Sequence, residues 1–246
     1  MTHPRMDDRF GDKAHPPVFN LPPVLWGLIV LLVAVHLVRV LGLVDDQLFL
    51  TLFAFFPARF GDDEVFFPNA PLLEELSRYW SFLTYSLLHA DWVHLLVNAT
   101  WMMAFGSIVA RRLEARRFLV LSAVGAVAGA LAYLFAHPTE YAVLVGASAA
   151  VSAQVAAAAR LMFASPFLVQ RINAPDFRRN PPLSLTQTFT DRRALSFILV
   201  WLVVNVLFGL TGIGASGEDR IAWEAHLGGF ISGLVVLGIL DRRSDR

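Results

Sequence analysis

The hydrophobic residues of this chain are gathered into long blocks rather than spaced at every third or fourth position. The first block covers roughly 22–44 and includes PVLWGLIVLLVAVHLVRVLGLV. Others follow at about 91–110, 117–136, 144–163, 194–213 and 221–240. A mostly apolar run of about 18 residues or more is long enough to cross a bilayer. Within lipid, backbone groups must bond internally, so only helices or closed barrels span it. Blocks of this length are helices. The pattern predicts an all-α membrane protein with six spans, organised as a polar N-terminal segment at 1–21, a membrane domain at 22–240 and a short tail at 241–246.

Two stretches outside the blocks have their own character. Residues 48–60, LFLTLFAFFPARF, are too few to span and too apolar to be solvated. The 45–80 loop that holds them either lies half-embedded in the membrane interface or packs on the bundle. The 164–193 segment mixes Pro166, Pro175, Pro181 and Pro182 with arginines and reads as a solvated connector. The N-terminal 20 residues are polar, the wrong layout for a cleaved signal peptide, so the first block is expected to be retained as a span.

Charge gives these spans a direction. Arg111, Arg112, Arg116 and Arg117 separate the second and third blocks; Arg171, Arg178, Arg179, Arg192 and Arg193 separate the fourth and fifth; Arg242, Arg243 and Arg246 close the chain. The 137–143 turn has no arginine or lysine, and the 214–220 turn has only Arg220. By the positive-inside rule both termini are expected to be cytoplasmic. The second, fourth and sixth spans then run inward from the outer face.

Composition excludes several classes. The chain is 56% hydrophobic and 16% charged, with mean hydropathy +0.57, against about 25% charged in soluble domains. A net charge of +0 offers no field for nucleic acid. The absence of cysteine excludes disulfides, thiolate metal sites and a cysteine nucleophile. His89, His94 and His226 could in principle hold a metal, but no HExxH pattern or carboxylate partner accompanies them. No cofactor is expected.

Polar groups inside spans are costly and therefore mark function. His94 and Asn98 lie near the start of the second span, four apart and so on one face. Ser148 lies a few residues into the fourth span and His226 a few residues into the sixth. With all three spans running inward, these groups share one layer. A serine hydroxyl needs a neighbouring base to become a nucleophile, and histidine is the usual one. Ala225, Gly229 and Gly233, at four-residue spacing, and Gly146 to Ala150 would let the fourth and sixth helices touch. Ser148 at a helix start would have unpaired N–H groups beside it. Those groups, with His94 and Asn98, could bind an oxyanion. Glu224 lies two positions before His226 and is a weak candidate to orient it; a serine–histidine dyad is the simpler reading. His36 reads as structural, Arg39 as reaching toward the outer interface, and Gln154, Arg160 and Asn205 as packing or end-of-span groups.

Three motifs carry a resemblance. His89-x4-His94-x3-Asn98, Gly146-Ala147-Ser148 and Ala225-His226-x2-Gly229-x3-Gly233, within Trp80 to Leu240, resemble the rhomboid family of intramembrane serine proteases. The resemblance implies a rhomboid-like bundle with a half-embedded first loop, and hydrolysis of peptide bonds in or near transmembrane segments of other proteins. It implies Ser148 as nucleophile, His226 as general base, and His94 with Asn98 as oxyanion donors, while His89 supports the first loop and its neighbourhood. The fifth span is the side where a substrate helix enters in such proteins. The expected setting is the inner membrane of a bacterium, with the site opening outward. Partners would be transmembrane substrates and the bilayer, with no nucleic acid; the oligomeric state is open.

This sequence departs from the family at four places. The usual GxSG reads GASA, with Ala149 for the second glycine; Ser152 stands where an aromatic often supports the base, so His226 must be held differently; Trp80 is followed by Ser81 rather than arginine; and Ala110 replaces a glutamate. None removes a catalytic group. A relative that binds clients without cleaving them is the alternative these departures suggest. A transporter finds no support in an inverted repeat.

Overall fold

A computed structural model describes residues 21–61, 66–164, 180–211 and 222–241. The segment 1–20, Arg171, Arg178, Arg179, Arg220 and the tail at 242–246 lie outside the described residues. The described chain is helical, without a strand: α1 Pro23–Val40, α2 Asp46–Phe53, α3 Pro71–Thr84, α4 Trp92–Trp101, α5 Ser107–Ala136, α6 Ser148–Met162, α7 Leu185–Thr190, α8 Arg192–Thr211 and α9 Trp223–Leu240.

The helices start and stop where the sequence has capping chemistry. Pro23 occupies the first helical position of α1, where no N–H is needed. Gly42, at φ +64, ends that helix, with Leu43 N–H donating back to Val38 O. Asp45 caps α2 by accepting from Leu48 N–H, and Asp91 caps α4 by accepting from His94 N–H.

The stretch from Trp92 to Ala136 is continuous in its bonding but not straight. A π-helical turn, Met102–Gly106, joins α4 to α5, and Glu114 interrupts α5 at φ 65, ψ 168. Gly106 lies so close to Gln154 that a Cβ there would be 2.6 Å from Oε1. The same Gln154 donates through Nε2 to Ser122 Oγ at 3.0 Å. Residues 106 and 122 would stand about 24 Å apart on a straight helix at 1.5 Å per residue. Both reach one side chain because the chain doubles back at Glu114. The blocks at 91–110 and 117–136 are thus the two arms of a helical hairpin.

α6 forms the centre of the bundle, buried from Ala149 to Leu161. Its alanines make it thin, and small residues on its neighbours use that thinness. Gly229 and Gly233 of α9 press on the carbonyls of Ala149 and Ala153, while Gly129 and Gly125 of α5 receive the methyls of the same two alanines. Matching steps of four along both chains mean that α6 and α9 run parallel. Close backbone approach of this kind is how helices associate where lipid removes the hydrophobic drive.

Among the described residues four stretches, Pro23–Val40, Trp92–Ala136, Arg192–Thr211 and Trp223–Leu240, are long and apolar enough to cross a membrane. α6 has 15 residues, about 22 Å, and lies inside the others. Val30, Leu96, Val97, Val200, Val203 and Phe135 are exposed on the bundle surface. An apolar surface of this extent fits lipid, not water.

The 45–80 loop has its own core. The Arg59 guanidinium is fully buried; it donates to Thr51 O and lies over the rings of Phe56 and Phe66. Glu74 accepts the N–H groups of Phe66 and Phe67. Trp80 Nε1 donates to Leu52 O at 2.6 Å, so it ties α3 to α2. Phe55 packs with Tyr85, Ala126 and Ala149, which docks the loop on the bundle. The apolar edge of Leu48, Leu72, Leu76, Tyr79 and Leu83 remains exposed. Of the 164–193 connector, the described stretch 180–193 includes α7, opened by a capping box between Ser184 and Gln187, and is held by Arg160 Nε, which donates to Leu183 O at 2.8 Å.

Candidate active site

The segment ahead of Ser148 is suspended from the first loop. Phe55 and Leu144 exchange both backbone hydrogen bonds. Gly146 N–H donates to Tyr85 O at 3.0 Å, and Ala147 N–H donates to His89 Nε2 at 3.4 Å. His89 O in turn accepts from Arg39 Nη1, and Arg39 is paired with Asp46. His89 therefore lies between Arg39, which is paired with Asp46 of α2, and Ala147, the residue next to Ser148.

Gly146 has φ +121, a conformation that L side chains rarely adopt. A Cβ there would lie 2.7 Å from both Cε1 and Nε2 of His94, and 3.8 Å from Ser148 Oγ. His94 and Ser148 thus face the same side of one glycine. Ser148 is the first residue of α6. The first bond into that helix is Val151 N–H to Ala147 O. The N–H groups of Ser148, Ala149 and Ala150 precede it and have no partner within the helix.

His94 is fixed at the start of α4 through the Asp91 cap, at 2.8 Å. Its ring meets that of His89 edge-on, with centroids 5.1 Å apart. Asn98 is buried one turn deeper, and its side-chain nitrogen donates to His94 O at 3.1 Å. One of its two amide hydrogens remains for another acceptor.

His226 is half-buried on α9. It precedes Gly229 by three residues and so shares its face. With Gly229 on Ala149, that face carries His226 to the level of the chain just before Ser148. Among the described residues no hydrogen bond links Ser148 to His226. The ring is held from α8 instead: His226 Nδ1 lies 2.7 Å from Asn205 Oδ1. Ser152, which stands where the family often has an aromatic, turns away from His226 and donates to Ser148 O at 2.7 Å.

Ser148, His226 and His94 come to one end of the bundle, with Asn98 directly behind His94. Glu224 does not orient His226; its carboxylate lies 3.1 Å from His137 Nε2. The extra methyl of Ala149 does not spread the helices, because Gly129 makes room for it. His36 contacts the Trp92 ring at 4.5 Å, and its two ring nitrogens have no hydrogen-bond partner among the described residues. Among the described residues no group of His, Asp and Glu is arranged to hold a metal.

Sequence reasoning took Asn205 for a packing or end-of-span group and did not single out Tyr85. Asn205 did carry a signal: it is the one amide in the 194–213 block, and a polar group at that depth is costly. Tyr85 acts through its backbone carbonyl, which no side-chain pattern reveals.

The rhomboid domain family model matches residues 76–243, more than half of the chain. A search among curated proteins finds no match. The matched span contains α4 through α9 and the three motifs carried by α4, α6 and α9. The chain belongs to the rhomboid family, the intramembrane serine proteases, whose members act on transmembrane substrates.

Proposed function

We propose that this protein is an endopeptidase that hydrolyses peptide bonds in or near transmembrane segments, through Ser148 as nucleophile and His226 as general base. The observation that carries this is Gly146, whose missing side chain leaves His94 and Ser148 on one side of the same backbone. In this reading His226 Nε2 takes the proton of Ser148 Oγ as the oxygen attacks the scissile carbonyl. The developing oxyanion is bound by the free N–H groups at the start of α6, with His94 and Asn98 as further donors. His226 then protonates the leaving amine, and a water molecule hydrolyses the acyl-enzyme by the same base. Substrate must unwind locally, because a helical peptide bond is shielded by its own hydrogen bonds and side chains.

The same reading gives six spans: α1, the two arms of the hairpin that reverses at Glu114, α6, α8 and α9. They form one membrane domain at 22–240, flanked by cytoplasmic segments at 1–21 and 241–246. The arginine distribution supports cytoplasmic termini and a Ser148 site near the outer face of a bacterial inner membrane. The exposed apolar edge of α2 and α3 supports half-embedding of the first loop.

The test is cleavage of a labelled single-span protein in detergent or liposomes. Ser148→Ala and His226→Ala should each lower kcat by at least about a thousandfold, and a fluorophosphonate should label the wild type at Ser148. His94→Ala should reduce kcat on the order of a hundredfold. Unchanged turnover in Ser148→Ala, or client capture without labelling or cleavage, refutes the reading.

A further inference from the structure

Asn205 is a polar amide inside an apolar helix, and both ends of its side chain are engaged. Its nitrogen donates to Trp201 O at 2.7 Å. A backbone carbonyl only accepts, so the atom facing it must be the NH2 group. That leaves Oδ1 facing His226 Nδ1 at 2.7 Å. An amide oxygen also only accepts, so Nδ1 must carry the hydrogen. In a neutral imidazole with hydrogen on Nδ1, Nε2 is bare and able to accept a proton.

We propose that Asn205 is a positioning residue for the general base, holding His226 as the Nδ1–H tautomer with Nε2 free for Ser148. This rests on the Ser148–His226 reading and supplies the orienting partner that a bare dyad lacks. It fits the two neighbours that do not perform this task. Ser152 has no ring on which His226 could stack and donates to Ser148 O. The Glu224 carboxylate is bound to His137.

The bond also crosses between helices. Asn205 is the middle of three contacts one turn apart: Trp201 stacks on Phe230 at 4.2 Å, Asn205 meets His226, and Gly209 receives Trp223. The stripe at 201, 205 and 209 is one face of α8. The base is therefore oriented only while α8 is seated on α9, and displacement of α8 leaves His226 without its Nδ1 acceptor.

The experiment compares wild type, Asn205→Ala and Asn205→Asp, using cleavage kinetics and nitrogen-15 NMR of the labelled His226 ring. Asn205→Ala should lower kcat roughly tenfold to a hundredfold, leave KM within about twofold, and shift His226 toward the Nε2–H form. Asn205→Asp keeps an acceptor at Nδ1, so it should restore the Nδ1–H form and recover most of kcat. Wild-type kcat with an unchanged tautomer in Asn205→Ala overturns the proposal. So does an equal loss in both variants with the Nδ1–H form retained, because packing would then account for it. A wild type that neither cleaves nor labels at Ser148 defeats the protease reading, while the ring spectra still decide the role of Asn205.

Discussion

Gly146 and Asn205 are the two residues whose chemistry reaches furthest into the site, and neither is a reacting group. Gly146 is required twice, by its φ of +121 and by the His94 ring beside it. An alanine there meets both demands at once. Gly146→Ala should cost roughly 1–3 kcal/mol in backbone strain and displace His94 from the serine. Thermal unfolding should show the first effect, and a fall in kcat of about a hundredfold the second. Wild-type turnover in a folded Gly146→Ala protein would remove His94 from the oxyanion site. Ala149 teaches the complementary lesson. Read in sequence it is a glycine lost from the family pattern; in space its methyl is received by Gly129, on the second arm of the hairpin.

At the scale of elements, α9 is held at both ends, and its first turn answers to pH. His137, just past α5, lies between two carboxylates, 3.0 Å from Glu140 and 3.1 Å from Glu224. Carboxylates accept, so both ring nitrogens donate only when the imidazole is charged. Burial works against that charge, but hydrogen bonds to Glu224 and Glu140 outweigh it and raise the His137 pKa above its ordinary value. A raised folded-state pKa means the tether is fully present below about 6.5, the unfolded value, and is lost as pH rises through the folded one. Hydrogen-exchange protection of the first turn of α9 should therefore fall as pH rises from below 6.5 through that higher pKa. In His137→Ala the pH dependence should vanish. Equal dependence in the variant would assign the effect to another group.

Across the whole molecule, a second fastening lies at the end of the bundle opposite Ser148. Arg112, just before the reversal at Glu114, pairs with Asp241 after α9 through two bonds of 2.6 and 2.7 Å. Both side chains are nearly fully buried, at 2% and 10% exposure. Removing one partner leaves a buried charge, which costs about 3–5 kcal/mol. Arg112→Ala should thus lower the unfolding temperature markedly, with kcat retained below the transition because the pair is remote from the serine. Loss of kcat in a still-folded variant would instead link the two ends. The apolar blocks, the arginine clusters and the three motifs were all legible along the chain, since lipid leaves helices little choice and polar groups within them stand out. Ser148, His94, Asn98 and His226 could be singled out as the candidate site for the same reason. What could not be read there depends on contacts between distant segments: the reversal at Glu114, the suspension of Gly146 from Tyr85, the seat for Ala149 and the bond from Asn205 to His226. Hydrophobicity assigns a segment to the membrane, but it carries no information about which faces meet, and the partner of the His226 ring is set by which faces meet.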